Sequence, residues 1–120
     1  MSPMDTGAPI PECVDVVEAQ RRGAAGWVLL DVREDHEWAT GHAPGAHHLP
    51  LGLVDADTVP AQGPLVLVCR SGNRSGQACE RLIAAGRTDV VNMSGGMLAW
   101  AEAGLPIVHP EAPSTGGPAS

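Results

Sequence analysis

The sequence predicts an α/β protein built on a parallel sheet that is covered on both faces. Two observations carry this. Short apolar runs of strand length alternate along the chain with stretches of helical pattern. Strands separated by helices imply parallel pairing with the helices packed on the sheet. In addition, "PLVLVC" (64–69) is apolar on both faces, as a central parallel strand must be.

The elements follow in order. Residues 1–9 read as a flexible arm. Residues 11–22 read as a helix, with Pro11 in its first turn, Glu12 near its start, Arg21 and Arg22 near its end and Gly23 as its stop. Val14 and Val17 would face inward. "WVLLDV" (27–32) is an apolar run of strand length. "EDHEWAT" (34–40) is a short helix with acids at its start, and Gly41, Pro44 and Gly45 then break the chain. "AHHLP" suggests a brief strand, and residues 51–63 leave a helical turn or a loop open. Residues 74–85 form a helix with Ala78, Leu82 and Ala85 on one side and Gly86 as its stop. "VVNM" is a strand, and "GMLAWAEA" is a helix that ends at Gly104 with Pro106 beyond. The closing stretch, 109–120, reads as a disordered tail, because "PEAPSTGGPAS" has almost no apolar content. That leaves 10–108 as the folded unit.

A chain of 120 residues fits one domain with one core, and 43% hydrophobic content suits a globular protein. No run approaches the roughly 20 apolar residues of a membrane span. The start, "MSPMDTGAPI", has no basic leader and no apolar block, so a cytoplasmic location is expected. A net charge of -7 argues against generic binding to nucleic acid or to anionic membranes. The charge is uneven. Residues 61–120 hold four acids and four arginines, and within 69–88 Arg70, Arg74, Arg81 and Arg87 face only Glu80. The basic spot includes one of three cysteines. With an odd cysteine count and no C-x-x-C, neither a disulfide framework nor a zinc cluster is expected. Cys13 and Cys79 fall in expected helices and read as small buried apolar residues.

Cys69 is different, because it ends a strand and is followed at once by "RSGNRS". A thiol reacts as its thiolate, and at a pKa of about 8.5 only about 3% is ionised at neutral pH. Lowering the pKa by about two units takes about 2.7 kcal/mol of preference for the anion. A helix N-terminus supplies roughly 0.3–2 kcal/mol. A guanidinium about 5 Å away supplies about 3 kcal/mol more at an effective dielectric near 20, before screening. The loop can therefore ionise its cysteine. Gly72 permits a turn that aims successive N–H groups at one centre. Arg70 and Arg74 can fork onto an oxyanion, and Ser71, Asn73 and Ser75 add polar side chains. Two chemistries fit: attack on phosphorus, or attack on a sulfane sulfur to give a persulfide. Four residues between Cys69 and Arg74 make a small ring, which suits one extra sulfur atom better than a phosphate group.

These segments together resemble the rhodaneses, the single-domain bacterial thiosulfate sulfurtransferase type. The resemblance runs from about residue 10 to residue 107. It rests on "LLDVREDHEWATGHAPGA", "LVLVCRSGNRS", "NMSGGMLAW" and "AGLP" in that order. It implies a three-layer α/β/α fold with a central, mostly parallel sheet of about five strands. It also implies a persulfide on Cys69 and a surrounding cradle of Arg70, Ser71, Gly72, Asn73, Arg74 and Ser75. The loop has the sulfurtransferase length, whereas related cell-cycle phosphatases have one residue more. Asp31, Arg33, Glu37 and His42 then read as structural support, with Arg33 and Glu37 spaced for an ion pair on one helical face. Trp100 reads as core.

The family commonly has an apolar residue and Asn where His47 and His48 stand here. With His36 and His42 they make four histidines within thirteen residues, at spacings that match no standard metal motif. No metal and no organic cofactor are expected. The expected activity is ping-pong transfer of sulfur from thiosulfate or a persulfide donor to a thiol, protein or cyanide acceptor, by a monomer or weak dimer. The alternatives are a non-catalytic binding module of the same fold and a cysteine phosphatase or arsenate reductase.

Overall fold

Three four-residue runs in which every residue, or all but the first, is buried set the sheet: Val28–Asp31 (β2), Leu65–Val68 (β4) and Val90–Met93 (β5). The computed structural model describes residues 11–61 and 63–109. The expected N-terminal arm and all but the first residue of the expected tail lie outside the described residues. Around the three central strands stand two short edges, Glu12–Val14 (β1) and His47–His48 (β3). The sheet has five strands in the order β1-β5-β4-β2-β3, and every pairing is parallel.

Alternation along the strands divides the core in two. Leu29, Val66, Val68, Val91 and Met93 pack with Val16 and Ala19 of α1 (Val16–Ala24) and Met97 and Trp100 of α4 (Gly96–Glu102). Leu30, Leu65, Leu67 and Val90 pack with Ala78, Cys79 and Leu82 of α3 (Asn73–Ala84). Each sheet face is thus dry, which makes the three-layer α/β/α fold. Trp100 is a core residue, with its indole N–H donating to the Pro106 carbonyl at 2.8 Å. A 3₁₀ turn, Leu51–Leu53, fills part of the stretch the sequence left open.

The N-terminal helix starts later than expected. Pro11 and Glu12 precede and begin an edge strand, and Asp15 caps α1, its carboxylate accepting the Glu18 N–H at 2.8 Å. The shift turns the helix face. Val16 and Ala19 are buried and Val17 is exposed. Gly23 lies inside α1 and does not stop it. Cys13 is exposed on β1, not a buried helical residue, whereas Cys79 is buried on α3 as expected. Ala85 caps α3 and is exposed. The expected helix over 34–40 is a single turn, α2 (Asp35–Trp38), closed by a capping box between Glu34 and Glu37.

Candidate active site

Parallel strands bring their carboxyl ends to one edge, where open α/β sheets place their sites. Here β2, β4 and β5 deliver three loops to that edge. The alternation of β4 continues one residue past the strand, so Cys69 follows Leu65 and Leu67 onto the α3 side. Its residue surface is fully covered, at 0% exposure. The chain then turns through Gly72, whose φ of 102° lies in the left-handed region that favours glycine. The turn points the Gly72 N–H at the sulfur, 3.0 Å from Sγ, and the Ser75 hydroxyl lies 3.3 Å from it. Burial pushes the Cys69 thiol up. Hydrogen bonds from the Ser75 hydroxyl and from the backbone amides of Ser75, Gly72 and Ser71 outweigh it and hold the pKa below its ordinary value. Cys79, one turn further along α3 from Ser75, has burial and no such donors, and is pushed up to about 12.

The loop is held from three sides. From α4, the Met97 and Leu98 amides donate to the carbonyls of Cys69 and Arg70 at 2.8 and 3.0 Å. This approach requires glycine at 96, where a Cβ would stand 2.4 Å from the Arg70 carbonyl. From α2, Glu37 accepts both terminal nitrogens of Arg74, each at 2.7 Å. Arg74 holds Glu37 down to about 2, well below the usual carboxylate range. From β5, Asn92 Oδ1 lies 2.5 Å from the Ser75 hydroxyl and competes with Cys69 Sγ for its single proton, and Nδ2 donates to the Gly72 carbonyl at 3.1 Å.

Two sequence expectations change here. Glu37 does not pair with Arg33 but with Arg74, 37 residues away. Arg33 instead lies buried against Asp31, its Nε and Nη2 on the carboxylate at 2.7–3.0 Å and Nη2 also on the Gly41 carbonyl at 2.8 Å. Arg74, expected to fork onto substrate, has its fork occupied by Glu37. Arg70 is exposed, forms no ion pair among the described residues, and lines a groove of about 330 Å³ with His36, Met97, Leu98 and Ile107. Ser71 and Asn73 are exposed on the outer side of the loop, and Ser75 is buried.

The histidines support α2 more than the pocket. The rings of His42 and His48 stack on Trp38 at 3.5 and 4.7 Å. His42 binds Val108 through its backbone, while its buried ring Nδ1 has no partner among the described residues, and burial lowers its pKa. His42 thus braces the turn through its main chain and through its ring stacked on Trp38. His48 Nε2 lies 2.8 Å from the Arg33 carbonyl, and neither His47 nor His48 lines the groove. Among the described residues no group of three potential ligands is placed to hold a metal ion, and no helix is long and apolar enough to cross a membrane. Asn92 was passed over in the sequence. The signal was present: one carboxamide in the otherwise apolar "VVNM" strand needs a partner.

Comparison with known proteins agrees with this arrangement. The family model for the rhodanese-like domain matches residues 15–103. A sulfurtransferase of Allochromatium vinosum is 44% identical over 86 residues, which span 70% of this chain and 80% of that protein. The putative sulfurtransferase YtwF of Bacillus subtilis is 42% identical over 74 residues, 60% of this chain and 71% of its own. Among solved structures, the rhodanese-like domain of the Anabaena Alr3790 protein superposes with a TM-score of 0.72 at 27% identity, covering 92% of this chain and 86% of that one.

Proposed function

The chain belongs to the rhodanese-like domain family, and on that premise we propose that it transfers sulfane sulfur through a persulfide on Cys69, with thiosulfate or a low-molecular-weight persulfide as donor. One observation carries the reading: a sulfur at the end of β4 lies 3.0 Å from the Gly72 amide, with the Ser71 and Ser75 amides also acting on it. Such a nest stabilises negative charge on sulfur, which is what a nucleophilic thiol needs before attack and a persulfide needs after it.

The steps follow from that chemistry. The donor approaches with its anionic end on Arg70. Because Cys69 is covered, the outer side of the loop must give to admit it. The Cys69 thiolate attacks the outer sulfur of thiosulfate. A Cys69 S–S bond forms, the donor S–S bond breaks, and sulfite leaves with the electron pair. The terminal persulfide sulfur carries the negative charge. An acceptor thiolate or cyanide then attacks that sulfur, and the Cys69 thiolate departs. Two half-reactions give ping-pong kinetics.

Mass spectrometry of the intact protein after incubation with thiosulfate, and separately with a small alkyl persulfide, tests the reading. The expected gain is about 32 Da, removed by cyanide or dithiothreitol. It should be absent in Cys69→Ser and retained in Cys13→Ser and Cys79→Ser. No gain from either donor overturns persulfide transfer. Hydrolysis of para-nitrophenyl phosphate would then indicate a phosphatase, and inertness in both assays a binding module.

A further inference from the structure

Asn92 is a polar side chain on a strand whose other residues are apolar. Val91 and Met93 point to the α1 and α4 side, and Val90 joins the α3 side. Asn92 shares the parity of Val90 and lies under the start of α3, with 7% of its surface exposed. A carboxamide so placed is costly unless bonded. Its two strong bonds both go to the Cys69 loop, through Nδ2 to the Gly72 carbonyl and through Oδ1 to the Ser75 hydroxyl. The orientation is set by these partners. Half a turn of the amide would bring Oδ1 against the Gly72 carbonyl, two acceptors face to face.

The Gly72 amide is also the donor 3.0 Å from Cys69 Sγ, and the Ser75 oxygen lies 3.3 Å from the same sulfur. We infer that Asn92 is a positioning residue for Cys69, one carboxamide that holds the Gly72 turn through its carbonyl and the Ser75 oxygen through its hydroxyl, so that the Gly72 amide bears on the sulfur. Asn92 touches the sulfur only through them. Its consequence for turnover rests on the persulfide reading above, whereas its effect on the thiol does not. The Gly72 peptide has its carbonyl tied to Nδ2 on one side of the loop while the neighbouring N–H faces Sγ on the other. Without the tie the carbonyl keeps only the longer bond from the Gly76 N–H at 3.2 Å, the turn loosens, and a donor that favours the thiolate is lost part of the time. The other titratable groups around this network are Cys13 on β1, with Sγ 3.8 Å from Nδ2, Cys79 on α3, and Arg74 on α3, which feels the charge on Cys69 and is paired to Glu37.

The test isolates Cys69 in a Cys13→Ser, Ser75→Ala, Cys79→Ala background, which removes the one proton that Asn92 and the sulfur compete for, and follows thiolate ultraviolet absorbance against pH, a readout that needs no reagent to reach the covered sulfur. Asn92→Ala should move the inflection up by about half to one pH unit, a threefold to tenfold loss of thiolate below it. Asn92→Leu, closer in volume and apolar, should do the same if the alanine variant folds poorly. A lower melting temperature with an unmoved inflection in the folded variants would make Asn92 merely structural and overturn the inference, as would a downward shift. Sulfur uptake is measured on the same samples. A shifted inflection in a protein whose parent takes up no sulfur would sustain the role of Asn92 and remove the proposed activity. An unmoved inflection in a protein that takes up sulfur would do the reverse.

Discussion

Replacing Glu37 by glutamine tests how the Cys69 loop is held in place. The perturbation keeps the shape of the side chain and removes its charge from Arg74, whose two nitrogens it accepts at 2.7 Å. The carboxyl is held at about 2 in the fold against 4.5 for the free group. That difference corresponds to at most about 3 kcal/mol in favour of the folded state. The side chains of Arg74 and Glu37 are 30% and 18% exposed, so solvent screening reduces the figure to about 1–2 kcal/mol. A depressed carboxyl pKa gives stability that is complete above the unfolded value and lost as pH falls toward the folded one. Here the window runs from about 5 down to about 2, and by about pH 3 more than half of the contribution is gone. Urea unfolding of the parent and of Glu37→Gln at pH 6 and at pH 3 reads it directly, since urea leaves the ionic strength alone. The variant should be weaker by about 1–2 kcal/mol at the higher pH, and the gap should shrink to under half at the lower. Glu18, also held near 2 by Arg21 and Arg22, titrates in the same window, but it is present in both proteins and cancels in the comparison. A gap that is absent at pH 6, or unchanged at pH 3, would refute the pairing.

Two further substitutions probe the neighbouring loops. Arg33→Met leaves Asp31, at 0% exposure, with no counter-charge and should cost about 3–5 kcal/mol in thermal unfolding; adding Asp31→Asn should return part of it, and a single variant as stable as the parent would contradict the buried pair. Gly96→Ala meets backbone of Arg70 and Cys69 at 2.4–2.5 Å and has a φ of +59°. It should lose clearly more than Gly45→Ala, where φ is +77° but no atom lies within 4 Å of the added carbon and only the conformational cost of about 1–2 kcal/mol applies. Equal losses would show that α4 does not press on the loop.

The parts of this fold that were legible in the sequence are those whose signal is local. Val28–Asp31, Leu65–Val68 and Val90–Met93 are short, apolar and bounded by breakers, so strand length and burial agree. The Cys69 turn was legible because Gly72 and the following helix pattern sit next to the strand that positions the thiol. Edge strand β1 was not, because three residues of mixed polarity, "ECV", carry no alternation of their own and are held by pairing to β5. Pro11 and Glu12 imitated a helix start, whereas the true signal was Asp15 with Glu18 three residues on. The ion pairs went astray for a related reason. Spacing within one helix suggested Arg33 with Glu37, but Arg33 turns back to Asp31 and frees Glu37 for a residue that only the sheet brings near. Asn92 likewise meets Ser75 and Gly72 only once β5 lies beside β4, with Asn92 opposite Leu67.

That last point bears on how the loop divides its labour. Four loop residues, Cys69, Gly72, Arg74 and Ser75, are committed to one another or to α2 and β5, and the carbonyls of Cys69 and Arg70 are bonded to α4. Among the described residues, what remains uncommitted is the Arg70 side chain and the exposed side chains of Ser71 and Asn73. A sulfur anion on Cys69 would therefore be stabilised by fixed N–H groups, which need no reorganisation when charge appears. The arginine inside the ring works mainly as a brace, because its guanidinium is already neutralised by Glu37. Under the proposed function, recognition of the sulfur donor would fall to Arg70 and to the groove it shares with Leu98 and Ile107. Under the proposed function, ionisation of Cys69 and choice of donor are then separable properties. The first is set by Asn92, Gly72 and Ser75 beneath the loop, and the second by the side chains above it.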